Sequence, residues 1–263
     1  MKGIDYSWSR PGGAAIKAAG FEFVCRYCPY PGDGGKGLTE DELADLHANG
    51  LGVVLVYEST AGRMFDGYPA GKFDAVRGLS AMRRLGFPED RPLYFACDVD
   101  TQPEMLALVD DYLNGCASVL GVGRVGVYGE YDVVDHCWNA ASASWAWQTY
   151  AWSSGRKHEW NHIYQYLNGQ TLNDSAVDYN ESYGDDFGQW EVGMTPDERA
   201  KLDAVYAALT GGVPGVIEAW NENGNSVLVA YNDLVFPHLS DALAHKHKHH
   251  GFTGEPTAIT EDN

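Results

Sequence analysis

Apolar positions recur along this chain with two alternating periods. The short apolar run Leu93 to Cys97 reads as a buried parallel strand, and Phe21 to Tyr27, Leu51 to Tyr57 and Arg124 to Tyr128 read as further strands. Between them, helical spacing in Ala14, Ala15, Ala18 and Ala19, and across Asp74 to Leu85 and Glu104 to Leu120, predicts helices. Thr39-Glu40-Asp41-Glu42 matches a capping box, and the helix it opens ends at Asn49-Gly50. Gly3 to Ser7 forms the first strand, and Ser144 to Tyr150, Ile163 to Tyr166 and Ser175 to Tyr179 are later ones. Strands alternating with helices imply βαβ units and a parallel sheet. About eight strands in roughly 180 residues predict an α/β fold, a compact (β/α)8 TIM-like barrel with shortened late helices, over residues 1–190.

After Trp190 the pattern changes. Met194-Thr195-Pro196 opens a helix whose Leu202, Val205, Tyr206 and Leu209 make one apolar stripe, and a second helical or mixed segment covers Val216 to Leu243. Residues 191–263 are thus expected to be a small, mainly helical appendage, an attachment or oligomerisation segment that packs on the barrel, on copies of the chain or on other proteins. His245-Lys246-His247-Lys248-His249-His250 ends it as an exposed tail, able to hold a metal only if several chains converge.

Composition narrows the partners. With 263 residues, 44% of them hydrophobic, the chain can bury a full core. A net charge of -19 without a basic block disfavours nucleic acid and anionic membrane surfaces. The odd set Cys25, Cys28, Cys97, Cys116 and Cys137 lacks disulfide-framework spacing and suggests reduced thiols in a protein made in a cytoplasm. No apolar stretch follows Met1, so no secretory signal is expected.

The candidate chemistry centres on Asp98 and Asp100, at the end of the Leu93 strand. Alternation puts both on one face, with Cα atoms roughly 6.5 to 7 Å apart. Asp100 could instead cap the helix that begins near Pro103. Asp5, Glu58 and Asp178 also fall at or near strand ends, where barrel enzymes place their working residues. Such a cluster suits glycoside cleavage, because acids crowded in a partly dry cavity cannot all ionise, and one keeps a proton for the leaving oxygen. Tyr6, Trp8, Tyr57, Tyr128, Trp145, Trp147, Tyr150 and Tyr164 are candidates for a sugar-stacking floor, with core packing as the competing role for each.

The set Gly3-Ile4-Asp5-Tyr6-Ser7, Val56-Tyr57-Glu58-Ser59, Leu85-Gly86-Phe87-Pro88, Tyr94-Phe95-Ala96-Cys97-Asp98-Val99-Asp100, Val127-Tyr128-Gly129, Trp147-Gln148, Tyr164-Gln165-Tyr166 and Val177-Asp178 resembles the glycoside-hydrolase-like family called domain of unknown function 1906. That family occurs in actinobacteria and their phages and is similar to the family 25 lysozymes. The resemblance covers roughly residues 1 to 190. It implies a (β/α)8-like barrel that cleaves or binds the peptidoglycan glycan strand without a cofactor. It further implies Asp5, Asp98, Asp100 and Asp178 as catalytic residues, with Asp100 where family 25 lysozymes carry a glutamate. Glu58, Tyr57, Tyr128, Trp147, Gln148 and Gln165 would then contact substrate. The expected setting is a phage lysin or virion-borne enzyme, acting at the bacterial wall after lysis or on a particle, with residues 191–263 contacting virion proteins or a second copy.

Two rival functions stand beside this one. The first is a non-catalytic glycan-binding or structural virion component. The second is a zinc metalloprotease, since His158-Glu159-Trp160-Asn161-His162 fits H-E-x-x-H, with Glu181 at a spacing a third ligand could use. Gly121-Val122-Gly123-Arg124-Val125-Gly126 precedes a strand, so a dinucleotide site is not expected. Cys25-Arg26-Tyr27-Cys28 has no second pair to complete a zinc site.

Overall fold

The computed structural model describes residues 1–191 in full and the backbone of 216–220 and 226–230. The first unit, Met1–Val192, is a closed barrel of eight strands in sequential order. They are β1 (Lys2–Asp5), β2 (Phe23–Tyr27), β3 (Gly52–Tyr57), β4 (Leu93–Ala96), β5 (Val125–Gly129), β6 (Trp145–Thr149), β7 (Ile163–Leu172) and β8 (Ser175–Ser182). Helices α1 (Gly13–Ala18), α2 (Glu40–Ala48), α3 (Gly67–Leu85), α4 (Leu106–Leu120) and α5 (Tyr131–Ala140) follow the first five strands. The expected TIM-like barrel is borne out. The Thr39 hydroxyl accepts from Glu42 N at 3.2 Å, so the cap of α2 forms as read from the sequence. Helix α5 lies in a stretch where no element was expected, although Val133, Val134 and Cys137 mark its buried face.

The later connections are not helical. Strands β1 to β7 pair in parallel, but β8 runs antiparallel to both β7 and β1. The parallel direction expected for the last strand is therefore corrected. Leu172 pairs with Ser175 across Asn173 and Asp174, whose φ angles of 46° and 58° make a two-residue hairpin. Asn and Asp tolerate that left-handed backbone, and so short a link is too small for a parallel crossover.

Strand alternation sorts the core into two compartments. Phe23, Cys25, Val54, Val56, Tyr94, Ala96, Tyr128, Trp147, Ile163 and Phe187 fill the barrel. Val24, Val53, Leu55, Tyr57, Phe95, Val125 and Val127 face outward against the helices. The segment after β8 closes the amino-terminal mouth. Tyr94 donates to Phe187 O at 2.9 Å, the Phe187 ring packs on Phe23 at 4.6 Å, and Trp190 pairs with Val53.

Helices α3 and α4 approach through glycines, since a Cβ on Gly71 would collide with the Tyr112 carbonyl and one on Gly115 with that of Tyr68. Gly71→Ala is thus expected to lower stability by about 2 kcal/mol in urea melts, although alanine favours a helix by about 1 kcal/mol, because two backbones must separate.

The second unit, Gly193–Asn263, contributes β9 (Val216–Trp220) and β10 (Ser226–Ala230), an antiparallel pair. These strands replace part of the helical or mixed segment expected over 216–243. Their alternating and β-branched residues favour pleated backbone over a helix. The expected helix after Met194 and the His-rich tail lie outside the described residues.

Candidate active site

Four acids from four strands meet at the carboxyl-terminal mouth of the barrel. Asp5 ends β1, Glu58 follows β3, Asp98 follows β4, and Asp178 faces Asp5 in the β1–β8 register. Asp178 was expected at the end of a parallel strand. It instead sits early in β8, and the reversed direction of β8 brings it to the same mouth. These acids line a cavity of about 210 Å3 together with Tyr27, Val56, Ala96, Tyr128, Trp147, Trp152, Gln165 and Asn168.

Asp5 is the most constrained of the four. Gln165 Nε2 donates to its Oδ2 at 2.8 Å and Asn180 Nδ2 to the same atom at 2.7 Å. Each amide is oriented from behind: Tyr128 donates to Gln165 Oε1 at 2.9 Å, and Trp147 Nε1 to Asn180 Oδ1 at 2.9 Å. Among the described residues no donor reaches Asp5 Oδ1. Burial, then the charge of Asp178, pushes the Asp5 carboxyl up to about 7 against the opposing hydrogen bonds of Asn180 and Gln165.

The other acids are tuned by their own surroundings. Burial and then Glu58 raise Asp98, against Lys36 and Tyr128. Burial raises Asp178, whose Oδ1 accepts from Gly169 N at 2.7 Å. Lys36 Nζ pairs with Glu58 at 2.9 Å and lies 3.6 Å from the centre of the Tyr27 ring, supplying a cation beside the acids.

The loop that delivers Lys36 is anchored by a buried ion pair. Arg26 faces outward from β2, fully buried, and its Nε donates to Glu42 Oε1 at 2.7 Å. The same guanidinium donates to Tyr6 O and to Lys36 O. Arg10 bonds Glu42 at 2.8 Å and the carbonyls of Gly35 and Gly37. Burial pushes the Glu42 carboxyl up, but Arg26 and Arg10 outweigh it and hold the group below its ordinary value.

Asp5, Asp98, Asp178, Glu58, Tyr128, Trp147 and Gln165 are brought together as the sequence led one to expect. Asp100, Tyr57 and Gln148 are not. Strand β4 stops at Ala96, so the alternation that would have aligned Asp100 with Asp98 has no strand to follow; Asp100 is exposed and outside the lining. Tyr57 takes the outward face of β3 and donates to Asp74 Oδ1 at 3.3 Å. Gln148 takes the outward face of β6 and is fully buried in the loop that follows.

Tyr6, Trp8, Trp145, Tyr150 and Tyr164 also lie outside the lining. Tyr27, Trp152 and Asn168 were missed. Tyr27 shares the parity of Phe23 and Cys25 and was legible from that. Trp152 and Asn168 sit in a loop and a hairpin, whose paths no periodicity encodes.

The H-E-x-x-H reading is overturned by the backbone. His158 and His162 lie in the non-helical β6–β7 connection, so they share no helical face. Each Nδ1 accepts a backbone N–H, from Trp160 and Ala146 respectively, and Glu181 pairs with Lys157 at 2.9 Å. Cys25 and Cys28 point to opposite sides of the barrel wall, and both are free thiols.

Known proteins resemble this chain in sequence and in fold. The chain is 31% identical over 199 residues to Rv2525c of Mycobacterium tuberculosis, provisionally named a peptidoglycan hydrolase, covering 71% of this chain and 82% of that one. The crystal structure of the Tat-secreted protein Rv2525c with L-tartrate superposes with a TM-score of 0.67 at 29% identity, over 72% of this chain and 98% of that one. The catalytic domain of the endolysin ply40 from bacteriophage P40 of Listeria monocytogenes shares the fold alone, with a TM-score of 0.50 at 17% identity, over 70% and 94% of the two chains. A family model described as the Rv2525c-like, glycoside hydrolase-like domain matches residues 14–186, and with these relatives it establishes that the chain belongs to that family.

Proposed function

We propose that this protein hydrolyses the glycan strand of peptidoglycan by carboxylate acid/base catalysis, as a muramidase-like enzyme of phage type. The observation that carries the reading is the convergence of Asp5, Glu58, Asp98 and Asp178 on one cavity where burial and mutual repulsion hold a proton. The provisional name of the mycobacterial relative supports the substrate. Asp5 serves as the acid, because its carboxyl keeps a proton near neutrality and its Oδ1 is free to present that proton to the glycosidic oxygen. Asp98 and Asp178 then stabilise the sugar cation, attack it or activate water. Asp100 drops out of the catalytic set in this proposal, since it stands outside the cavity.

Incubation with purified cell wall, followed by identification of the released reducing ends, tests the assignment. Glycan binding without new reducing ends would favour the non-catalytic reading, for which the position of Asp100 is the specific argument. If Asp5 is the acid, kcat/KM should fall above an apparent pKa near 7, where the folded-state carboxyl loses its proton. A profile flat from pH 6 to 9 would remove Asp5 from that role. The phage setting, lysin or virion-borne, and the attachment role of residues 191–263 belong to the same proposal. Probing purified particles against lysate for the chain separates the two settings.

A further inference from the structure

The connection between β6 and β7 carries a feature that barrel closure does not require. Trp152 and Ser154 have φ angles of 56° and 52°, in the left-handed region where a bulky L side chain is an outlier, and Gly155 follows at 76°. The strain does not serve core packing, because Trp152 is 43% exposed. Its side chain instead lines the acid cavity.

What holds this backbone is a knot behind the barrel wall, centred on buried Gln148. Its Nε2 donates to Ser153 Oγ at 3.1 Å and to Arg156 O at 2.9 Å, while its Oε1 accepts from His158 N and Asn161 Nδ2, both at 2.8 Å. The full hydrogen-bonding capacity of the amide is spent on the loop. Ser153 Oγ also donates to Thr149 O at 2.6 Å and accepts from Tyr131 N at 2.9 Å. Arg156 forks onto Asp132 at 2.7 and 2.6 Å.

The other aromatic rings of the cavity have their surfaces or polar ends engaged. Lys36 covers Tyr27, Tyr128 is hydrogen-bonded to Gln165, and Trp147 to Asn180. Trp152 is the lining aromatic, among the described residues, with an extensively open surface. An indole face suits the C–H face of a pyranose whose hydroxyls reach the acids and amides opposite.

We infer that Trp152 is the sugar-stacking residue of the acid cavity, and that Gln148 is its positioning residue, acting through the strained loop from outside the barrel. The inference rests on the glycan reading above. Binding is measured by calorimetry in the inactive Asp5→Asn background, with soluble cell-wall tetrasaccharides of alternating N-acetylglucosamine and N-acetylmuramic acid. Trp152→Ala should weaken binding at least about tenfold, with partial recovery in Trp152→Phe. Trp152→Gly, which suits the left-handed backbone, should weaken binding equally while Tm holds or rises. Gln148→Met should weaken binding when Trp152 is present and add nothing in the Trp152→Ala background. Equal affinity of Trp152→Ala and its parent would overturn the stacking role, and an undiminished effect of Gln148→Met in the Trp152→Ala background would overturn the positioning role. If the parent itself binds no tetrasaccharide, the glycan reading falls and this inference with it.

Discussion

Asp5→Asn is expected to cut the release of reducing ends from cell wall by about 100-fold to 10000-fold, the span over which a positioned general acid contributes. The same change is expected to stabilise the folded protein at pH 8. The asparagine oxygen still accepts from Gln165 and Asn180, so those bonds survive while a buried charge disappears. Between the ordinary carboxyl value of 3.8 and about 7, the native protein retains a proton that the unfolded chain has released, so wild-type stability declines as pH rises through this window. By the 1.36 kcal/mol that attaches to each unit, the gain at pH 8 is on the order of 4 kcal/mol before Asp178 and Asp98 readjust. It should vanish toward pH 4. Urea melts of wild type and variant at both pH values measure it, and a destabilised variant at pH 8 would show that Asp5 is not held there under strain. Loss of activity with gain of stability is the signature of a group retained for chemistry.

Arg26→Met should be the most damaging change away from the cavity. Removal of one partner from a buried ion pair leaves the other uncompensated, which costs about 3 to 5 kcal/mol. Here Glu42 would keep only Arg10, whose side chain is 31% exposed. The carbonyls of Tyr6 and Lys36 would also lose their donor, loosening both loops beside Asp5. For a unit of this size the melting temperature is expected to fall by roughly 10 °C. Arg26→Met with Glu42→Leu should recover much of that loss, because an apolar pair of similar volume avoids the desolvation that the ions suffer. A single variant within 1 kcal/mol of wild type would mean that the pair contributes little to the fold.

Much of the site is legible in the amino-acid sequence. Acids at strand ends are conspicuous because a strand buried on both faces has no other use for them, so Asp5, Glu58 and Asp98 were found by position alone. The misassigned residues share one cause. Tyr57 neighbours Val56 and Gln148 neighbours Trp147, and a step of one residue along a strand moves a side chain from the cavity to the helix layer. Asp100 failed for a related reason, since alternation ends where β4 ends.

The amino-acid sequence by itself determined the eight strands of the barrel and the first four helices, because the period of apolar positions is a local property that backbone geometry imposes on each segment. It also determined that carboxylates would stand at strand ends. Only the tertiary structure decided the reversed direction of β8, the face to which each side chain turns, and the path that brings Trp152 back over the acids. Those depend on ring closure and on hydrogen bonds between residues far apart in the chain, such as Asp5 with Asn180, which no local pattern records.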